Sequence, residues 1–192
     1  MVEEPDLHQL DARTLRGLAH PLRMQLLSTL RRGGPATASQ LAEKLGESSG
    51  ATSYHLRQLA AYGFVEDAPE HGKGRERWWR AVHQGVRFDE SLLQDTDPAV
   101  RGAASLFMHE VGSFHSQELS TFIGTRHEWP EEWVSASDVS DFTLRLTPEL
   151  ASELNEKIHE LINSYREHAA PEDTPGAEQV RLHTHVFPIT SD

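Results

Sequence analysis

Between residues 48 and 62 the chain carries two sets of side chains of opposite character at helical spacing. Thr52, Leu56 and Leu59 fall at i, i+4 and i+7 and predict one packed face. Gly50, Ser53, Tyr54, Arg57 and Ala61 follow the same period on the opposite side. This outward side is small near its N-terminal end, which lets another molecule approach closely. It then offers a hydroxyl, a phenol and a guanidinium, groups that hydrogen-bond base edges or phosphates. His55 and Gln58 flank it, within reach of backbone phosphates. Taken singly, each of these residues is ordinary on a solvated helix face. Together they imply recognition of a duplex rather than catalysis.

A second cationic group follows. Lys73, Arg75, Arg77 and Arg80 cluster at and after a glycine-containing connector over residues 69–74, where a hairpin tip would meet phosphates or the minor groove. On an extended strand Arg75 and Arg77 share one face, and Trp78 and Arg80 the other. Basic side chains also discourage edge pairing, but four of them with two glycines near one tip exceed that need.

Such groups require a scaffold. Leu15, Leu18 and Ala19 predict a helix that stops at His20-Pro21, and Leu22, Leu26, Leu27 and Leu30 a second one ending at Gly33-Gly34-Pro35. Thr37-Ala38-Ser39-Gln40 matches a capping box and opens a short helix with Ala38, Leu41, Ala42 and Leu45 on one face, closed by Gly46. Ser48 is then the N-cap of the 48–62 helix. Residues 64–68 and 75–82 read as two strands of a wide hairpin. Two helices, a turn, a longer helix and a 64–82 hairpin make a winged helix-turn-helix pattern, whose third element enters a major groove.

Residues 85–96 have weak periodicity and are expected to form a linker. Asp97-Pro98 starts a helix whose Val100, Ala103, Ala104, Phe107, Val111, Phe114, Leu119 and Phe122 give a long apolar face, a candidate dimer surface. Trp129-Pro130 and Trp133 are expected in a loop. Phe142, Leu144 and Leu146 alternate as a half-buried strand, and Thr147-Pro148-Glu149 begins a helix striped by Leu150, Leu154, Ile158, Leu161, Ile162 and Tyr165. Val180, Leu182 and Val186 suggest a last strand, which would give a small βαβ unit if the two strands are adjacent. The expected fold is α+β and mostly helical. A winged helix-turn-helix domain over residues 10–88 precedes a small α/β dimerisation or ligand domain over residues 97–190.

The 192 residues carry a net charge of −12, which looks wrong for a binder of polyanions. Its distribution removes the conflict. Residues 11–88 hold 12 basic and 7 acidic groups, whereas residues 91–192 hold 6 basic and 18 acidic. A mildly basic front and a strongly acidic rear imply two regions with different partners. The absence of cysteine excludes disulfides, thiolate metal sites and thiol redox switches. No apolar run approaches the roughly 20 residues of a membrane span, and the acidic start lacks the order of a secretory signal. A cytoplasmic location with no membrane partner is expected.

Four segments in combination, Leu18-Ala19-His20-Pro21-Leu22-Arg23, Leu41-Ala42-Glu43-Lys44-Leu45-Gly46, Ser53-Tyr54-His55-Leu56-Arg57-Gln58-Leu59 and Gly74-Arg75-Glu76-Arg77-Trp78, resemble the ArsR-type winged-helix regulators. The resemblance covers about residues 10–88. It implies a homodimer on a pseudo-palindromic operator in double-stranded DNA, usually a repressor released by an effector, for this chain an unknown small molecule. By the motif match, Ser49, Gly50, Ser53, Tyr54 and Arg57 would face DNA, with Arg75 and Arg77 in the wing. Many such regulators sense metals through cysteines, which this chain lacks, and the longer C-terminal region resembles the appended domain of larger members. The resemblance does not name its effector.

Competing chemistry is weaker. His183 and His185 would share a strand face, and His109, Glu110 and His115 lie on one helical segment, donors that suit zinc or nickel. His109 and His115, however, fall roughly 120° off a shared helix face, and no metal or other cofactor is expected. There is no glycine-rich phosphate loop after a strand and no nucleophile elbow, so no enzyme is expected. The remaining alternative is a winged-helix module that binds protein without specific DNA binding.

Overall fold

The computed structural model describes residues 6–71, 76–166, 168–171 and 173–190, in two compact units that divide after Ser120. Among the described residues the chain is mostly helical, with two small sheets.

In the first unit, strand β1 (Leu7–Gln9) leads into α1 (Ala12–Leu18) and α2 (Pro21–Gly33). The N-cap Asp11 carboxylate accepts the Thr14 amide at 2.7 Å, and the Thr14 hydroxyl accepts the Asp11 amide at 2.9 Å. That reciprocal pair fixes where α1 begins. Strand β2 (Ala36–Thr37) runs into α3 (Ala38–Leu45), and α4 (Ser49–Ala61) follows after three residues. Strands β3 (Val65–Asp67), β4 (Trp78–Ala81) and β5 (Gly85–Arg87) precede the long helix α5 (Pro98–Thr125).

Strand β4 lies between β2 and β3, antiparallel to both, with Glu66 opposite Arg80 and Asp67 opposite Trp79. The core is leucine-rich: Leu15 of α1, Leu26 of α2, and Leu56 and Leu59 of α4 are fully buried, and Phe64 and Trp79 close it from the sheet side. Each fully buried leucine contributes about 1.5–3 kcal/mol of transfer free energy. Gly17 permits the closest approach in this core, because a Cβ there would stand 2.3 Å from Cγ of Tyr62 at the end of α4.

Residues 85–96 are not a linker. Strand β5 pairs in parallel with β1, Leu7 opposite Gly85, and Leu92 is buried in the same core as Val100, Ala104 and Phe107 of α5. Strand β1 left no alternating run for sequence reasoning to find, since its partner lies almost eighty residues away in the chain. Arg31 braces this edge. Its Nε donates to the His83 carbonyl at 2.9 Å, and burial pushes its pKa down to about 10.

In the second unit, α6 (Glu131–Ala136) and α7 (Pro148–Arg166) are the helices that follow the end of α5. Trp133 belongs to α6 rather than to a loop, and its indole donates to the Gly176 carbonyl at 3.2 Å. The strands expected at 142–146 and 180–186 are not formed, and no βαβ unit results. Phe142 is 85% exposed and Val180 is 74% exposed. Alternation marks which side of a strand would be apolar, but a strand exists only where a neighbour completes its hydrogen-bond ladder. Among the described residues beyond Ser120, no side chain is fully buried. Among the described residues of the whole chain, no helix is long and apolar enough to cross a membrane.

Candidate nucleic-acid interface

The helix-turn-helix is set by three local devices. The Thr37 hydroxyl accepts the Gln40 amide at 3.3 Å while the Gln40 side chain accepts the Thr37 amide at 2.9 Å. At the other end of α3, Gly46 adopts the left-handed conformation, φ 68°, and its amide donates to the Ala42 and Glu43 carbonyls, which turns the chain sharply. The Ser48 hydroxyl then accepts the Ala51 amide at 3.2 Å and starts α4.

Helix α4 divides as its spacing predicts. Thr52, Leu56 and Leu59 are fully buried against the preceding helices. Ser49, Gly50, Tyr54 and Arg57 are exposed, and Ser53, His55 and Gln58 are half-buried. A Cβ added at Gly50 would meet nothing within 4 Å, so this end of the helix is open to close approach. Tyr54 is 54% exposed. Arg57 lies back along the helix, its Nε donating to the Ser53 carbonyl at 3.1 Å, so it must swing outward to meet a base or phosphate. His55 turns toward His20, ring centroids 4.4 Å apart, rather than standing clear of the helix.

In the hairpin, Lys73 and Arg75 lie outside the described residues. Arg77 and Arg80 are described, and both are ion-paired. Arg77 makes a two-pronged contact with Asp67, Nη2 to Oδ2 at 2.7 Å, while its guanidinium sits 4.0 Å over the Trp79 ring. Arg80 donates to Glu66 and to Glu70, each at 2.8 Å. The hydrogen bond from Arg77 holds the Asp67 carboxyl below the usual carboxylate range and raises Arg77 in turn. The two described cations of this hairpin are thus compensated, Arg77 by Asp67 and Arg80 by Glu66 of β3 and by Glu70. Sequence reasoning missed this pairing, although Glu66 opposite Arg80 is an ordinary cross-strand ion pair once the register is known.

Other cations near α4 were also missed. Arg13 lies 5.3 Å from the Tyr62 ring centroid. Arg23 donates to the Arg16 carbonyl at 3.2 Å and is held below its ordinary range by burial. The signal for Arg23 was its place in the His20-Pro21-Leu22-Arg23 run. Among the described residues, no group of three or more His, Asp or Glu side chains could hold a metal ion. His183 and His185 have ring centroids 6.5 Å apart.

Residues 18–68 match a family model described as a helix-turn-helix domain. No curated protein matches the sequence. Among solved structures, the chain is similar to the transcriptional repressor BigR from Xylella fastidiosa, at 20% identity over 53% of this chain and 84% of that one, with a TM-score of 0.33. It is similar also to a mutant of ZitR from Lactococcus lactis in apo form, at 17% identity over 81% of this chain and 86% of that one, with a TM-score of 0.32.

Proposed function

We propose that the chain is a sequence-specific transcriptional regulator that binds double-stranded DNA. Helix α4 enters the major groove, and the hairpin of β3 and β4 meets the backbone or the minor groove. The observation that supports this reading most is the division of α4 behind a tight turn, with Thr52, Leu56 and Leu59 sealed inside and Ser49, Gly50, Tyr54 and Arg57 presented outside. A helix held so firmly by one face is positioned to offer the other to a groove. On this reading Ser49, Gly50, Ser53, Tyr54 and Arg57 lie nearest the bases. His55, Gln58, Lys73, Arg75 and Arg77 lie nearer the phosphates.

The same reading takes the regulator as a homodimeric repressor of the ArsR type, because a monomer reads only one half-site. The region over residues 97–190 would supply dimer and effector contacts. Supporting this, α7 exposes Leu150, Leu161 and Tyr165, and Phe142 and Val180 are exposed beside no buried core of their own.

The test begins by selecting bound duplexes from random and genomic DNA. For a selected duplex, log affinity should fall linearly with log salt, and Arg57→Ala should lose about 1–3 kcal/mol of preference for it over unselected DNA. Absence of salt-sensitive binding to any selected duplex would overturn the reading. It would favour instead a protein-interaction module, which the ion pairing of Arg77 by Asp67 and of Arg80 by Glu66 and Glu70 supports.

A further inference from the structure

The seat of α4 contains three buried nitrogens that meet no acceptor. His20, at the N-cap of α2, packs its ring 4.4 Å from that of His55 on α4. Nδ1 of both rings and Nε of Arg23 are buried with no hydrogen-bond partner among the described residues. We propose that His20 and Arg23 are positioning residues for α4, and that the His20–His55 contact is an acid-labile latch on DNA binding. With both rings neutral, α4 is seated for the groove. A proton on either ring unseats it and lowers affinity.

The latch rests on the DNA-binding reading, and its sign follows from the groups around it. A cationic imidazole here faces the Arg23 guanidinium from α2 and the second ring, in a half-buried junction where desolvation disfavours charge. From the turn before α4, Glu47 favours the charged form of His55, and from α5 Glu110 favours that of His20. Tyr54 lies edge-on to His55, and Tyr54 and Tyr62 face Arg23. Burial outweighs the two carboxylates, and both rings are held below the ordinary imidazole range. Added positive charge ordinarily strengthens binding to a polyanion, so weakening in mild acid distinguishes the latch from a simple charge effect.

The test uses the full chain at fixed ionic strength. Histidine ring signals and the amides of residues 49–61 are followed by NMR from about pH 8 to pH 5. In parallel, fluorescence anisotropy measures affinity for a duplex selected near pH 7.5. The expected result is that His20 and His55 titrate together below about pH 6.5, with the α4 amides moving in step, and that Kd rises about tenfold over the next pH unit or so. In His20→Asn, which places a good N-cap residue at the start of α2, the ratio of Kd values at the two pH extremes should shrink, and with His55→Asn added it should collapse to less than about twofold. Rings that titrate at or above the ordinary value, α4 amides indifferent to the ring titration, or wild-type affinity that rises in acid would each overturn the latch. If no duplex binds at any pH the DNA reading falls, and so does the latch as a control on DNA; the NMR titration then still decides whether the rings unseat α4.

Discussion

Arg77 donates to Asp67 on the neighbouring strand while its guanidinium lies 4.0 Å over the ring of Trp79. Trp79 is buried and Arg77 exposed, so one side chain joins the surface of the hairpin to the core. The Asp67 carboxylate competes with any phosphate for that guanidinium. Asp67→Asn should therefore release Arg77 to the backbone, tighten DNA binding and steepen the salt dependence by about one unit of slope. A salt titration of the variant against wild type checks this, and an unchanged slope would assign Arg77 to the hairpin alone.

The inward face of α4 should govern stability. Leu56 and Leu59 are fully buried, and either one changed to alanine removes packing and leaves a cavity that the helices around it close only in part. The expected cost is about 2–5 kcal/mol for each variant, read from urea unfolding. A loss below about 1 kcal/mol would mean that the site collapses readily or that α4 is less firmly held than its burial implies.

At Gly46 the cost should be one of backbone conformation alone, because φ is 68° and a Cβ there meets nothing within 4 Å. Gly46→Ala is expected to destabilise by about 1–2 kcal/mol, and Gly46→Asn by less, since asparagine tolerates the left-handed region. Urea unfolding of the two variants gives the order. Because this turn sets the entry of α4, the alanine variant should also bind DNA more weakly than its stability loss explains.

Stability itself should depend on pH below neutrality. His8, His20 and His55 are all held below their ordinary value of 6.5, burial being the largest cause in each. Above about pH 6.5 both folded and unfolded chains keep these rings neutral, and stability from this source is flat. As pH falls through that value the unfolded chain takes up protons that the folded chain refuses, so stability falls until the folded rings titrate as well. Urea midpoints measured near pH 7.5 and pH 5.5 should decrease in that order, with a smaller decrease in His20→Asn. A rise in acid would contradict the burial of these rings.

Local rules carried the sequence reading a long way. The capping box at Thr37 and Gln40, the left-handed stop at Gly46, the Ser48 cap and the two faces of α4 depend on residues at most about four apart along one helix, or eleven along its length, where propensity and period act directly. Where distant segments had to meet, those rules were silent or misleading. Strand β1 exists because β5 lies beside it, whereas the regular alternation of Phe142, Leu144 and Leu146 formed no strand without a partner. The compensation of Arg80 by Glu66 depends on strand register, and the contact of His20 with His55 depends on how α2 crosses α4. Period and capping energies act within a single element, but the charge on a hairpin and the titration of an imidazole depend on what packing brings within a few ångströms, and no one-dimensional pattern records that distance.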